Sequence, residues 1–219
     1  MPTSLAATPA SPPAARRRWE LPALGALAVL SFVCVAIDIR TVPGGLPAHP
    51  LFVHVPVILI PTACVGALVL MARPRWLAGL GGPWVGLAAV VALGALDLTI
   101  NAGKSLRSEL GLGNPATGGV IARIISTHAS LADQLRVFFI LFTAVYLVAL
   151  AVQATADGSS SGVPFGDRIF AGIRRLPGVT IGLRAVTAGL ALLCLVWVYR
   201  VGDEGAKAVW YFRLHAPPG

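Results

Sequence analysis

Charge is what this chain has least of. Only 12% of its 219 residues are Asp, Glu, Lys or Arg, against 56% that are apolar. With a mean hydropathy of +0.80, that balance excludes an ordinary soluble domain. Cysteine is scarce too: Cys34, Cys64 and Cys194 each stand alone inside an apolar run, in no pair with metal or redox spacing, and they read as small hydrophobes. No HExxH occurs, so zinc-protease chemistry finds no support. The serines of "GSSSG" have no histidine near them to serve as a base, which removes a serine nucleophile. The apolar runs do not alternate residue by residue, which excludes a barrel.

What is present is a series of long apolar runs at residues 21–37, 51–71, 84–100, 135–154 and 181–201. Each is about long enough at 1.5 Å per residue to cross some 30 Å of hydrocarbon, where the backbone must satisfy its own polar groups as a helix. The expectation is an all-α, polytopic membrane protein with five transmembrane helices: a four-helix bundle core plus one N-terminal helix. Residues 1–20 read as a disordered basic cytoplasmic tail, 21–38 as an uncleaved N-terminal transmembrane helix, 46–212 as the four-helix membrane domain and 213–219 as a short C-terminal tail. The net charge of +8 is spread over the connections, which fits anionic lipid headgroups and excludes a nucleic-acid face. Arg16, Arg17 and Arg18 before the first run, and the "ARPRW" turn, set the N-terminus in the cytoplasm and the C-terminus outside. "DGSSSG" at 157–162 reads as a flexible linker. The segment after it spaces Phe165, Ile169, Phe170 and Ile173 among arginines like an interfacial helix, or one that docks a partner. Gly86, Gly94, Ala185 and Gly189 are expected to let helix backbones approach closely.

In this topology the unusual polar residues gather on one side. "LPAHPLFVHVP" places His49 at the cap of the second span and His54 one turn inside. Pro56 leaves the Phe52 carbonyl without its donor, which predicts a bend. Asp97 lies one turn before the outer end of the third span, where a carboxylate has a partner, is protonated or faces a wet cavity; as a partner, an interhelical His54 or His128 is expected. His128 precedes the fourth span; Asp203 and Glu204 follow the fifth. The spans also read as two hairpins with matched polar ends, His54 and Asp97 in one, His128 and Asp203 in the other, related by an approximate two-fold axis along the membrane normal.

"LPAHPLFVHVP", "GALDLT", "STHASLADQ" and "GDEGAKAVW", in that order with apolar spans between them, resemble the signatures of the domain-of-unknown-function 2231 family of bacterial membrane proteins. The resemblance covers roughly residues 46–212. It implies a four-helix architecture in the plasma membrane and lays the family's motif positions on His49, Pro50, His54, Asp97, His128 and the stretch from Gly202 to Trp210. Asp203 departs from relatives that carry His there. Some relatives carry or neighbour a Rieske-type iron–sulfur domain, which implies a respiratory-chain or iron–sulfur partner; this chain lacks the paired Cys and His of such a domain.

Three chemistries fit these residues. Haem b takes two imidazoles from facing helices, His54 with His128, and Arg107, Arg123 or Arg136 meets its propionates. A transition metal such as zinc or copper takes His49, His54, Asp97 and His128 as a mixed N/O set. Alternatively, the same groups form a buried polar network in a structural or accessory subunit. A buried acid such as Asp97 is also what proton transport uses.

Overall fold

Pro56 has no N–H to give the Phe52 carbonyl, and the helix that starts at Ala48 breaks its regular winding at Val53, within a turn of that missing bond. The interruption falls beside Pro56, whereas Pro61 lies inside the continuous helix His54–Ala72. The computed structural model describes residues 19–77, 79, 81–112, 119–156 and 165–215. The N-terminal tail 1–18 and the linker 157–162 lie outside the described residues.

Among the described residues the protein is all-α. Helix α1 (Glu20–Ser31) tightens into a 3-10 turn, Phe32–Ala36, and is followed by α2 (Ala48–Ala72), the short α3 (Pro74–Leu77), α4 (Gly81–Glu109), α5 (Gly119–Ala156), α6 (Gly166–Arg175) and α7 (Val179–His215). Four of these, α2, α4, α5 and α7, are long and apolar enough to cross a membrane. The first apolar run departs from expectation: it forms the shorter apolar helix Glu20–Ala36, below the roughly 20 residues of a full span. All four long spans also begin earlier than their apolar runs. α5 starts at Gly119 and has 38 residues, roughly 57 Å of helix, so His128 lies within it rather than before it. His49 sits in the first turn of α2 and not at its cap, which is Pro47.

The four long helices form a ring, α2 against α4, α4 against α5, α5 against α7 and α7 back against α2, with α1 laid on α4. Their inner faces are small, with Ala63, Ala67, Ala92 and Ala191 fully buried beside Cys64 and Cys194. Small side chains let helices approach where lipid removes the hydrophobic drive between them. The outer faces are apolar as well: Ile58, Val65, Val137, Leu192 and Val196 are exposed. A helix that is apolar all round suits a bilayer.

Of the small residues expected at helix contacts, Gly86 and Gly94 seat α1. A Cβ on Gly86 would lie 3.0 Å from Leu24 Cδ1, and one on Gly94 would lie 3.4 Å from Cys34 Sγ. Ala185 and Gly189 instead face outward, and a Cβ on Gly189 would meet nothing within 4 Å. Asn101 of α4 clasps the end of the α1 segment, its Nδ2 lying 3.1, 2.8 and 3.0 Å from the carbonyl oxygens of Cys34, Val35 and Ile37. One turn on, Ser105 donates to Asp38 at 2.5 Å, and Asp38 also accepts from Arg40. α6 packs on α5 and keeps Ile169, Arg168, Arg174 and Arg175 exposed, the two-faced pattern its sequence predicts.

Candidate functional site

Two histidines meet where the four helices open. The His49 and His128 ring centres are 6.4 Å apart with their planes at 86°. Each ring is fixed by the same device. His49 Nδ1 lies 2.9 Å from the Thr99 carbonyl oxygen on α4, and His128 Nδ1 lies 2.9 Å from the Val201 carbonyl oxygen on α7. A carbonyl only accepts, so Nδ1 carries the hydrogen in both rings, and in the neutral ring Nε2 keeps its lone pair for another partner.

Four residues beyond each carbonyl comes a glycine on which the imidazole rests. A Cβ on Gly103 would lie 2.9 Å from His49 Nδ1, and a Cβ on Gly205 would lie 3.1 Å from His128 Cε1. The α2–α4 and α5–α7 hairpins thus carry matching parts: histidine, carbonyl and glycine. Two matched hairpins were expected from the sequence, but their register is corrected. His49 rather than His54 is the counterpart of His128, and Thr99 and Gly103 correspond to Val201 and Gly205.

Both rings line a cavity of about 590 Å³ whose remaining wall is almost wholly apolar, including Ile60, Leu96, Ile100, Leu135 and Val198. The volume lies within the range of cofactor and small-molecule pockets, about 300–1,000 Å³. Lys104 and Arg107 of α4 supply positive charge at its edge.

The other candidates fall as follows. His54 lines the cavity but is exposed, and its Nδ1 bonds within its own turn to Leu51 at 3.3 Å. Asp97 is buried and outside the cavity wall. Its ion-pair partner is Arg136 Nη1 at 3.9 Å, not the expected His54 or His128. Arg136 also pairs with Asp133 at 3.4 Å, so the arginine expected at a propionate is engaged with acids between α4 and α5. Arg123 is exposed and off the cavity wall. Arg107 lines the cavity while its Nε donates to the Leu112 carbonyl at 3.1 Å. Asp203 and Glu204 both hold Lys207, at 2.7 and 2.8 Å.

The four-ligand metal set His49, His54, Asp97 and His128 is not assembled. Among the described residues no three His, Cys, Asp or Glu side chains come together as a metal site. The physical reason is helical phase: Leu96, Thr99 and Ile100 of α4 face the cavity, which turns Asp97 toward α5. The parts that sequence reasoning missed, the Thr99 and Val201 carbonyls, Gly103, Gly205 and Lys104, had one weak signal. "TINAGK" and "VGDEGAK" place a glycine and then a lysine at similar points near the ends of two helices that each follow a histidine.

Comparison with protein-family models, with curated proteins and with solved structures gives no match.

Proposed function

We propose that this chain is a multi-pass plasma-membrane protein, N-terminus cytoplasmic and C-terminus outside, that holds haem b between His49 and His128 in an outer-leaflet cavity and serves electron transfer. The carrying observation is the histidine pair: ring centres 6.4 Å apart, planes near perpendicular, and each Nδ1 committed to a carbonyl. Were the group bound, His49 and His128 would hold it, their ring centres being close enough for two imidazoles to share one metal ion. Hydrogen-bonding the far nitrogen to a carbonyl is how proteins fix the tautomer and aim of a ligating histidine.

Haem is favoured over a bare ion because two protein ligands suffice for it, whereas a structural zinc or copper site asks for a third or fourth that is missing among the described residues. The size and apolarity of the cavity support the same choice. Lys104 and Arg107 are the cations on the cavity wall, the first paired with Asp133 and the second bonded to the Leu112 carbonyl, whereas Arg136 lies off that wall. When bound, the haem supplies one-electron chemistry, and the chain supplies neutral imidazoles, an apolar wall that excludes water, and positive charge at the mouth. The resemblance to the 2231 family adds a respiratory or iron–sulfur protein as the redox partner.

The test is the absorption spectrum of the detergent-purified full chain, oxidised and dithionite-reduced, with metal analysis. A low-spin, six-coordinate haem spectrum is expected, lost in His49→Ala and in His128→Ala but kept in His54→Ala. A spectrum that survives both substitutions would overturn the assignment. Colourless, metal-free protein would instead favour a structural or accessory subunit. That second reading has its own support, because each histidine hydrogen bond ties together the two helices of a hairpin.

A further inference from the structure

Asp97 stands apart from the cavity, and among the described residues no other charged side chain is buried. It is 1% exposed, and neither carboxylate oxygen has a hydrogen-bond partner. Its one ion pair is long at 3.9 Å, and the arginine that makes it is shared, reaching Asp133 Oδ1 at 3.4 Å. Asp133 in turn holds Lys104 Nζ at 3.1 Å. Exposure climbs along this chain: 1% at Asp97, 25% at Arg136, 40% at Asp133 and 50% at Lys104. A carboxylate deprived of both water and hydrogen bonds is poorly stabilised as an anion. The partner it can gain without moving a helix is a proton, and the acid nearest to water on the same arginine is Asp133.

We propose that Asp97 is a proton-binding site, loaded from the aqueous phase at the cavity end by way of Asp133. A hydronium ion of the aqueous phase gives its proton to the Asp133 carboxylate and becomes water; Asp133 passes the proton on, an O–H bond forms on Asp97 while Asp133 returns to carboxylate, and no electron moves. With Asp97 ionised, the charges of Asp97, Arg136, Asp133 and Lys104 cancel; with it protonated, they sum to one positive charge. That charge rests on Arg136 and Lys104, and the neutralised carboxyl lies two residues from Thr99, whose carbonyl holds His49. The proton site stands whether or not the cavity is filled. If the haem reading also holds, the added charge favours the reduced cofactor, so electron and proton uptake assist each other.

The charged and titratable groups brought by the elements around α4 are few. Arg136 and Asp133 come from α5, His49 from α2 through Thr99, and Arg75 from α3 at the far end. Asp38 comes from the α1 segment, already held by Ser105 and Arg40. On α4 itself Lys104 lies two turns away. Arg136 is the nearest cation, so it controls the site.

The experiment is infrared spectroscopy of the full chain in lipid vesicles, titrated between about pH 5 and 9. A neutral-carboxyl C=O band should appear as pH falls, vanish in Asp97→Asn and persist, displaced, in Asp97→Glu. Arg136→Gln removes the stabilising cation and should move the midpoint up by about one pH unit or more. Asp133→Asn should leave the band but slow its shift on transfer to heavy water. Should Asp97→Asn not fold, the native titration and Arg136→Gln still decide. Absence of a titrating band, or a band indifferent to Arg136→Gln, overturns the proposal and leaves Asp97 a permanent structural anion.

Discussion

The two ends of the four-helix bundle use glycine for opposite ends. Beside α3, Gly82 has shed its side chain so that matter can fill the space. Leu150 packs onto it, the Tyr146 hydroxyl donates to its carbonyl at 2.8 Å, and Phe142 and Phe139 continue the aromatic column at ring-centre distances of 6.0 and 5.5 Å. At the other end Gly103 and Gly205 have shed theirs so that the Nδ1–Cε1 edge of an imidazole can pack against each helix, and both rings border an open cavity. One end is built for density and the other for a guest. Stability should therefore reside in the first and chemistry in the second.

The largest expected effect is at the closed end. Phe142→Ala removes a fully buried ring from a close-packed column and should destabilise the protein by about 4 kcal/mol, measured by reversible unfolding in mixed micelles. Gly82→Ala comes next. The new Cβ would overlap the Leu77 carbonyl and lie 2.6 Å from Leu150 Cδ1, an overpacking worth about 3 kcal/mol in the same assay; a change under about 1 kcal/mol would show that this end is looser than described.

At the open end Gly103→Ala should cost only about 1 kcal/mol, because the His49 ring has a cavity to move into. Its signature is spectroscopic: the nitrogen resonances of His49 should lose the fixed Nδ1–H tautomer, while the outward-facing Gly189→Ala leaves them untouched. The smallest effect is at the α1 clasp. The Ser105 hydroxyl first, and then Arg40, hold the Asp38 carboxyl below its ordinary value. A depressed folded value stabilises the clasp fully above the ordinary carboxylate range, near pH 4, and that contribution fades as pH falls through the folded value. Amide protection around residues 34–40, taken as exchange relative to the intrinsic rate at each pH, should fall on acidification, and Asp38→Asn should abolish that fall; an equal fall in the variant would remove the carboxylate from the account.

Hydropathy alone located the four long spans, because an apolar run of that length has few alternatives to a helix in lipid. It could not locate where those helices end. Hydropathy reads what surrounds a segment, whereas a helix is held by its own hydrogen bonds and continues through polar residues such as those from Arg123 to Arg136. From the sequence His54, one turn inside its span, pairs with His128 as an imidazole on a facing helix at similar depth. In the structure α5 starts at Gly119 and the His128 ring lies 6.4 Å from that of His49, in the first turn of α2, so His49 is the partner. The acceptors of both histidines are backbone carbonyls, which no residue type announces. Asp97 was recognisable as a group needing a cation, but Arg136 sits 39 positions away and only the contact of α4 with α5 joins them.

Asn101 carries a consequence for how the first apolar run ends. Peptide oxygens at a helix terminus normally look to solvent, and hydrocarbon has none to offer. A single amide nitrogen standing over the Cys34, Val35 and Ile37 oxygens takes the place of that missing water, so an apolar helix shorter than the four long ones can stop beside α4 without leaving bare acceptors.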